Sequence, residues 1–310
     1  MDFSFVFPGQ GSQSVGMLAA LSEQSTLVDD TFSEASDALG YDLWGLTQND
    51  AGEQLSQTEY TQPALLAVGV TVWRVWMTEI GLRPASMAGH SLGEFTALVC
   101  AGALPFAETV KLVRDRGSYM QQAVPQGVGS MAAVIGLDDD SVRAACDEYR
   151  ENDVLQAVNF NAPGQVVVAG HTNAIDRLAA NAQAAGAKRV LPLPVSVPSH
   201  SELMLPAAER LAERLKDINI SATDIPVYHN VDCSIASTAE SIKAKLVQQL
   251  HSPVHWVSSI QAIQANGINT FVESGPGKVL GGLIKRINRE AVSFNVDTPE
   301  AMQACAGAIS

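Results

Sequence analysis

Apolar and polar positions change their spacing several times along the chain, and each change marks an element. Phe3-Ser4-Phe5-Val6-Phe7 reads as an apolar strand that stops at Pro8-Gly9-Gln10-Gly11-Ser12-Gln13. From Met17 to Leu55 apolar residues return at helical intervals with acidic residues between them, which predicts several short amphipathic helices. Gln62-Pro63 opens a longer helical run through Ile80, with Trp73 and Trp76 as packing anchors and Gly81 as its stop. A short apolar run, Ala85 to Ala88, then leads through Gly89-His90-Ser91-Leu92-Gly93-Glu94 into the small and apolar Phe95 to Ala101. That pattern is strand, tight turn, helix. A further helix is expected from about Pro105 to Ala123.

From about Ser130 the texture changes. Met131 to Ile135 reads as a strand, Asp138 to Arg150 as a capped helix, Val154 to Asn159 and Gln165 to Ala169 as strands, Asn173 to Ala185 as a helix, and Lys188 to Leu193 as a last strand. The order βαββαβ is that of a ferredoxin-like unit. The expected fold class is therefore α/β. A large α/β-hydrolase-like domain with a parallel sheet spans 1–125 and 196–310, and a smaller ferredoxin-like subdomain is inserted at 126–195. Beyond the insert, Val195 to Ser201 leads into a helix from Glu202 to Lys216. A short strand (Pro226 to Asn230), helices (Ala239 to Leu250 and Val254 to Asn266), a strand (Thr270 to Glu273) and a helix ending near Asn288 follow. After Val296 the sequence offers no usable signal.

Composition narrows the classes. The 310 residues are 46% hydrophobic and 17% charged, which is globular and long enough for a large core. No apolar run reaches membrane-spanning length, and Met1 to Phe5 lacks the basic start of a signal peptide, so a cytoplasmic protein is expected. The net charge of −14 argues against nucleic acid as partner. An acidic protein partner would need a local basic patch, for which Lys188-Arg189 and Lys285-Arg286 with Arg289 are the compact candidates. Cys100, Cys146, Cys233 and Cys305 are far apart without metal-ligand spacing, so free thiols are expected.

Gly89-His90-Ser91-Leu92-Gly93 fits a nucleophile elbow, in which a serine in a strained turn meets the free N–H groups of the following helix. His90 suits a supporting role in that turn. The Gly-rich loop after the first strand lacks the lysine of a phosphate loop, so Gln10, Gln13 and backbone N–H groups suit positioning or oxyanion work. A serine nucleophile needs a base. Of the six histidines, His200, in a Pro-flanked loop entering a helix, is placed best, and His229 is the outsider. The hydrolase order of serine, acid and a late histidine fits poorly, because His200 is far from the chain end and a whole insert precedes it.

Taken in order, Phe7-Pro8-Gly9-Gln10-Gly11-Ser12-Gln13, Gln62-Pro63-Ala64, Gly89 to Glu94, Arg116-Gly117, Val158 to Gln165, Val197-Pro198-Ser199-His200, Gln249-Leu250 with Pro253-Val254, and Gly275-Pro276-Gly277 carry a resemblance that covers nearly the whole chain. They resemble the malonyl-CoA:acyl-carrier-protein transacylases of fatty acid synthesis and, more widely, the acyltransferase domains of polyketide synthases. The resemblance implies Ser91 as nucleophile and His200 as base, oriented by a backbone carbonyl or an amide, with Gln249 at the usual glutamine. Gln10 and the N–H of Leu92 would form the oxyanion hole. Arg116 would hold the malonyl carboxylate; His90, Asn159 and Asn161 would lie against the substrate, and a small Ser199 would suit malonyl over branched units. His255 and Ser274 stand where a glutamine or arginine and an apolar residue are usual. No cofactor is expected beyond the substrates malonyl-CoA and holo-acyl-carrier-protein, and neither membrane nor nucleic acid as partner; a monomer is expected. Three alternatives stay open: a serine hydrolase, an acyltransferase of a polyketide or polyunsaturated-lipid pathway, and a non-catalytic module that binds the carrier protein.

Overall fold

The structure, a computed structural model, describes residues 1–195 and 197–310. Strand β1 (Ser4–Phe7) is followed by helices α1 (Ala19–Ser22), α2 (Leu27–Leu39), α3 (Leu43–Asn49) and α4 (Thr58–Glu79), then β2 (Ser86–Gly89), α5 (Leu92–Cys100) and α6 (Phe106–Gln122). Next come β3 (Gly129–Ile135), α7 (Asp139–Tyr149), β4 (Leu155–Ala162), β5 (Gln165–His171), α8 (Thr172–Ala180) and β6 (Arg189–Pro192). The chain closes with α9 (Leu205–Lys216), β7 (Val227–Tyr228), α10 (Ala239–Gln249), α11 (Trp256–Ala265), β8 (Thr270–Glu273), α12 (Val279–Ile287), β9 (Val292–Asn295) and α13 (Pro299–Ile309).

Among the described residues the strands form two sheets. One is parallel throughout, in the order β7-β2-β1-β8-β9; the other is antiparallel, in the order β4-β5-β3-β6. Every residue of β1, β2 and β8 is buried, as expected of parallel strands covered by helices on both faces. That is why Phe3 to Phe7 reads as a nearly continuous apolar run. The rings of Trp73 and Trp76 on α4 both meet Phe5 edge-on at 5.3 Å, so the two tryptophans do anchor this helix to the sheet. The antiparallel sheet has its own core, in which Val134, Phe160 and Val166 pack with Val142 of α7 and Leu178 of α8.

Strand β4 also pairs with the segment that leads into α11. Val254 donates its N–H to Val158 and accepts from the Phe160 N–H, at 2.8 and 3.0 Å. Arg286 of α12 donates to the Gln165 side chain at the start of β5.

Several boundaries differ from the sequence reading. Helix α4 begins at Thr58, more than a turn before Gln62. Pro63 lies inside it, near enough to its start that only one early backbone bond is lost. Helix α8 ends at Ala180, because 181–187 is a run of small and polar residues with little to bury and turns at Gly186 with φ +82°. Helix α11 begins at Trp256, since Val254 is spent on pairing with β4. The region expected as one helix from Glu202 opens with a 3-10 turn (Glu202–Met204) before α9. The last strand and helix, β9 and α13, were not foreseen. Ser196, where the large domain was expected to resume, lies outside the described residues. The four cysteines are free thiols, and no helix among the described residues is long and apolar enough to cross a membrane.

Candidate active site

Ser91 stands between β2 and α5 with φ 53° and ψ −108°, a conformation a residue with a Cβ adopts only under constraint. The turn is held from both sides. Asn230 accepts from the Ser91 N–H through Oδ1 and donates to the Gly89 carbonyl through Nδ2, each at 2.7 Å. Gly93 lets α5 pass directly under the first strand, for a Cβ there would sit 2.0 Å from the Phe7 carbonyl oxygen. The Leu92 N–H opens α5 and so has no partner within the helix.

His200 Nε2 lies 2.9 Å from Ser91 Oγ, and Nδ1 lies 2.7 Å from the Gln249 carbonyl oxygen. A carbonyl can only accept, so the proton is on Nδ1 and Nε2 is free to take the serine proton. His200 itself has φ +66°, held by its N–H donating to the Leu250 carbonyl at 3.0 Å. Both carbonyls belong to the end of α10, whose negative dipole end favours a positive imidazole. The surroundings oppose the charged form in the resting site. Burial, and then the nearby Arg116 guanidinium, push the His200 pKa down to about 3.

Arg116 of α6 is 1% exposed. Its Nη1 donates to Gln62 Oε1 at 2.8 Å, and its Nη2 to Gln249 Oε1 at 2.9 Å and to Ser91 Oγ at 3.2 Å. Nε has no hydrogen-bond partner, and among the described residues no carboxylate is within ion-pair distance of the guanidinium. Burial draws its pKa down to about 10, with the Glu94 charge opposing that fall. Gly117 permits this placement, since a Cβ there would press to 2.6 Å from the Thr58 carbonyl of α4.

A cavity of about 190 Å³ lies over these groups, lined by Gln10, His90, Ser91, Leu92, Arg116, Asn159, Asn161, Ser199 and His200. Met131, Val167 and Leu193 close it from the antiparallel sheet's side, and Leu280 and Leu283 of α12 from the other. All ten site residues expected from the sequence are thus in one place; Gln249 reaches it through Arg116 and His200 without lining the cavity. Their details differ in part. It is the backbone of Gln249 that holds His200, while its side chain bonds Arg116 and the Ser91 carbonyl. Gln13 turns back to accept from the Gly11 N–H at 2.7 Å, leaving Gln10 as the loop glutamine at the cavity. His90 Nε2 is 2.8 Å from Asn161 Oδ1, so it braces the turn against β4. His229 is bound to Glu94 and away from Ser91. His255 stacks on Phe160, and Ser274 donates to the Gly69 carbonyl, so both departures are local packing. Sequence reasoning gave no role to Asn230, Glu94 or Gln62. Glu94 lies inside the elbow motif, and a buried acid in an otherwise apolar helix was its available signal.

The family model described as an acyl transferase domain matches residues 4–298. The chain belongs to the acyl transferase domain family. Within that family it is 55% identical over 302 residues to the malonyl CoA-acyl carrier protein transacylase of Salmonella typhimurium, covering 97% of this chain and 98% of the relative. The transacylase of that name from Bacillus subtilis is 43% identical over 301 residues, with 97% and 95% covered. Among solved structures, the transacylase of Coxiella burnetii superposes with a TM-score of 0.98 at 48% identity, covering 99% of this chain and 97% of that one. A malonyl-transacylase in complex with a type II PKS acyl-carrier protein gives the same TM-score of 0.98 at 48% identity, over 99% and 100% of the two chains.

Proposed function

We propose that this acyl transferase is a malonyl-CoA:acyl-carrier-protein S-malonyltransferase of fatty acid synthesis, working by a ping-pong exchange through an acyl-Ser91 ester. The observation that carries the reading is the buried Arg116 guanidinium, 3.2 Å from the Ser91 hydroxyl and with no carboxylate within ion-pair distance among the described residues. A nucleophile beside such a cation suits an acyl group that brings its own carboxylate. The relatives named as malonyl transacylases support the same substrate.

His200 Nε2 takes the Ser91 proton as Oγ attacks the thioester carbon. The oxyanion is met by the Leu92 N–H and by Gln10, aided by the start of α5. The C–S bond breaks, His200 returns the proton to the departing CoA thiolate, and the malonyl ester remains with its carboxylate on Arg116. The carrier protein's pantetheine thiol then gives its proton to His200 and attacks the ester; the bond to Ser91 Oγ breaks, His200 Nε2 returns the proton to that oxygen, and the malonyl group leaves on the carrier. Thioester becomes ester and thioester again without redox change, so the chemistry calls for no cofactor. The small cavity suits an acyl group and the end of an extended arm, with the rest of CoA or the carrier outside. Ser199, Asn159 and Asn161 line it as substrate contacts.

In this reading residues 126–195 form a ferredoxin-like subdomain inserted into a larger domain of 1–125 and 196–310, and the cleft between them keeps water from the ester. The enzyme acts as a cytoplasmic monomer. Ser91→Ala is expected to abolish transfer of malonyl to holo carrier protein; transfer that persisted would remove Ser91 from the mechanism. Malonate released at the same rate with and without carrier would instead make the protein a hydrolase.

A further inference from the structure

Glu94 is 0% exposed, yet none of its hydrogen bonds is spent on capping its own helix. One carboxylate oxygen accepts from His229 Nδ1 at 2.7 Å; the other accepts from the Asn230 N–H at 2.8 Å and from Gln249 Nε2 at 2.9 Å. Two arms leave this hub. Through Asn230 it reaches the Ser91 N–H and the Gly89 carbonyl, on either side of the strained turn. Through the Gln249 amide it reaches Arg116, whose Nη2 donates to Gln249 Oε1 at 2.9 Å.

Glu94 and Arg116 therefore form a buried charge pair with one amide between them. A direct bidentate pair would occupy the planar fork of the guanidinium. An isolated buried cation would be costly to charge. The amide, polarised from both ends, gives Arg116 a nearby countercharge while Nη2 still reaches Ser91 Oγ at 3.2 Å. We propose that Glu94 is the positioning residue that aims Arg116 and steadies the Ser91 turn, so that preference for a carboxylated acyl group depends on a carboxylate that never touches the substrate. This rests on the malonyl-transfer reading above.

The test compares Glu94→Gln with the unaltered enzyme, using malonyl-CoA and acetyl-CoA as donors to holo carrier protein. Glutamine offers one acceptor where Glu94 satisfies three donors, and it removes the countercharge. The expected result is a loss of roughly tenfold to a hundredfold in kcat/KM for malonyl, with a clearly smaller loss for acetyl. In an Arg116→Ala background the same substitution should leave the malonyl-to-acetyl ratio unchanged. Equal losses on both donors, with the ratio intact, would overturn the proposal and leave Glu94 a structural residue. Should Glu94→Gln not fold, His229→Gln, which alters the hub from its far side, takes its place: a lowered ratio supports the proposal and an unchanged one overturns it. An unaltered enzyme that transfers no malonyl would contradict the underlying reading instead.

Discussion

Arg116 and His200 sit close enough to act on each other's charge, and that coupling is measurable. After burial, Arg116 is the largest cause that holds the His200 pKa near 3. His200 is therefore neutral through the ordinary pH range, and the acid limb of kcat/KM is expected far below the usual histidine value of about 6.5. Arg116→Ala removes the positive neighbour, makes the imidazolium easier to form, and should move that limb to higher pH. The same substitution should lower malonyl transfer by roughly a hundredfold and favour acetyl relatively. An unmoved limb with unchanged donor preference would separate Arg116 from both roles. At this scale Ser91 and His200 stood out as candidates from the residue types around them, whereas Arg116 stood out only through the resemblance. The division of Gln249 into an orienting carbonyl and a bonding side chain was not legible in the chain. It depends on where α10 ends in space, which no local pattern encodes.

Helix ends decide the site at the next scale. Starts of α5 and α12 and the end of α10 all face the cavity or its lining, so their backbone groups and not only their side chains shape it. Gly93→Ala would drive a methyl group into the Phe7 carbonyl and is expected to cost about 3 kcal/mol of stability in chemical unfolding; a cost near zero would mean that α5 can shift freely under β1. Glu273, at the end of β8, accepts the Leu280 and Gly281 N–H groups at 2.9 and 2.8 Å and so caps α12. Burial raises its pKa from 4.5 to about 7. Between those values the folded protein keeps a proton that the unfolded chain has lost, so this group stabilises the fold fully below pH 4.5 and by less as pH rises toward 7, a loss of about 3 kcal/mol. Melting temperatures at about pH 5 and about pH 8 should show that decline, and Glu273→Gln should flatten it. Helix and strand types were readable from spacing, whereas their ends were not. Pro63 marked a start that lies upstream at Thr58. Val254 read as helical but pairs with β4. β9, with two exposed and two half-buried residues, lacks the continuous apolar run that marked its parallel neighbours.

Across the whole molecule, the cavity over Ser91 lies between the elbow and the antiparallel sheet. β4 pairs with Val254 ahead of α11 and reaches the elbow through Asn161 and His90, so a motion of the antiparallel sheet would be felt at Ser91. The antiparallel sheet was visible in the sequence as a change of texture near Ser130. Its contribution to the cavity wall, through Met131, Val167 and Leu193, was not, because those residues read simply as strand interior. Because the chain has a net charge of −14, a carrier that is itself acidic would depend on local basic groups. Charge reversal at Lys188-Arg189 or at Lys285-Arg286 should raise the carrier concentration needed for half-maximal rate at whichever patch docks it, with the rate from malonyl-CoA to Ser91 unaffected. The most direct test of acyl transfer through Ser91 is intact-protein mass spectrometry after brief mixing with malonyl-CoA, followed by holo carrier protein. A malonyl adduct on the enzyme that disappears as the carrier gains the same mass, and that Ser91→Ala never forms, is the expected result. An adduct that decays to free malonate whether or not carrier is present would contradict it.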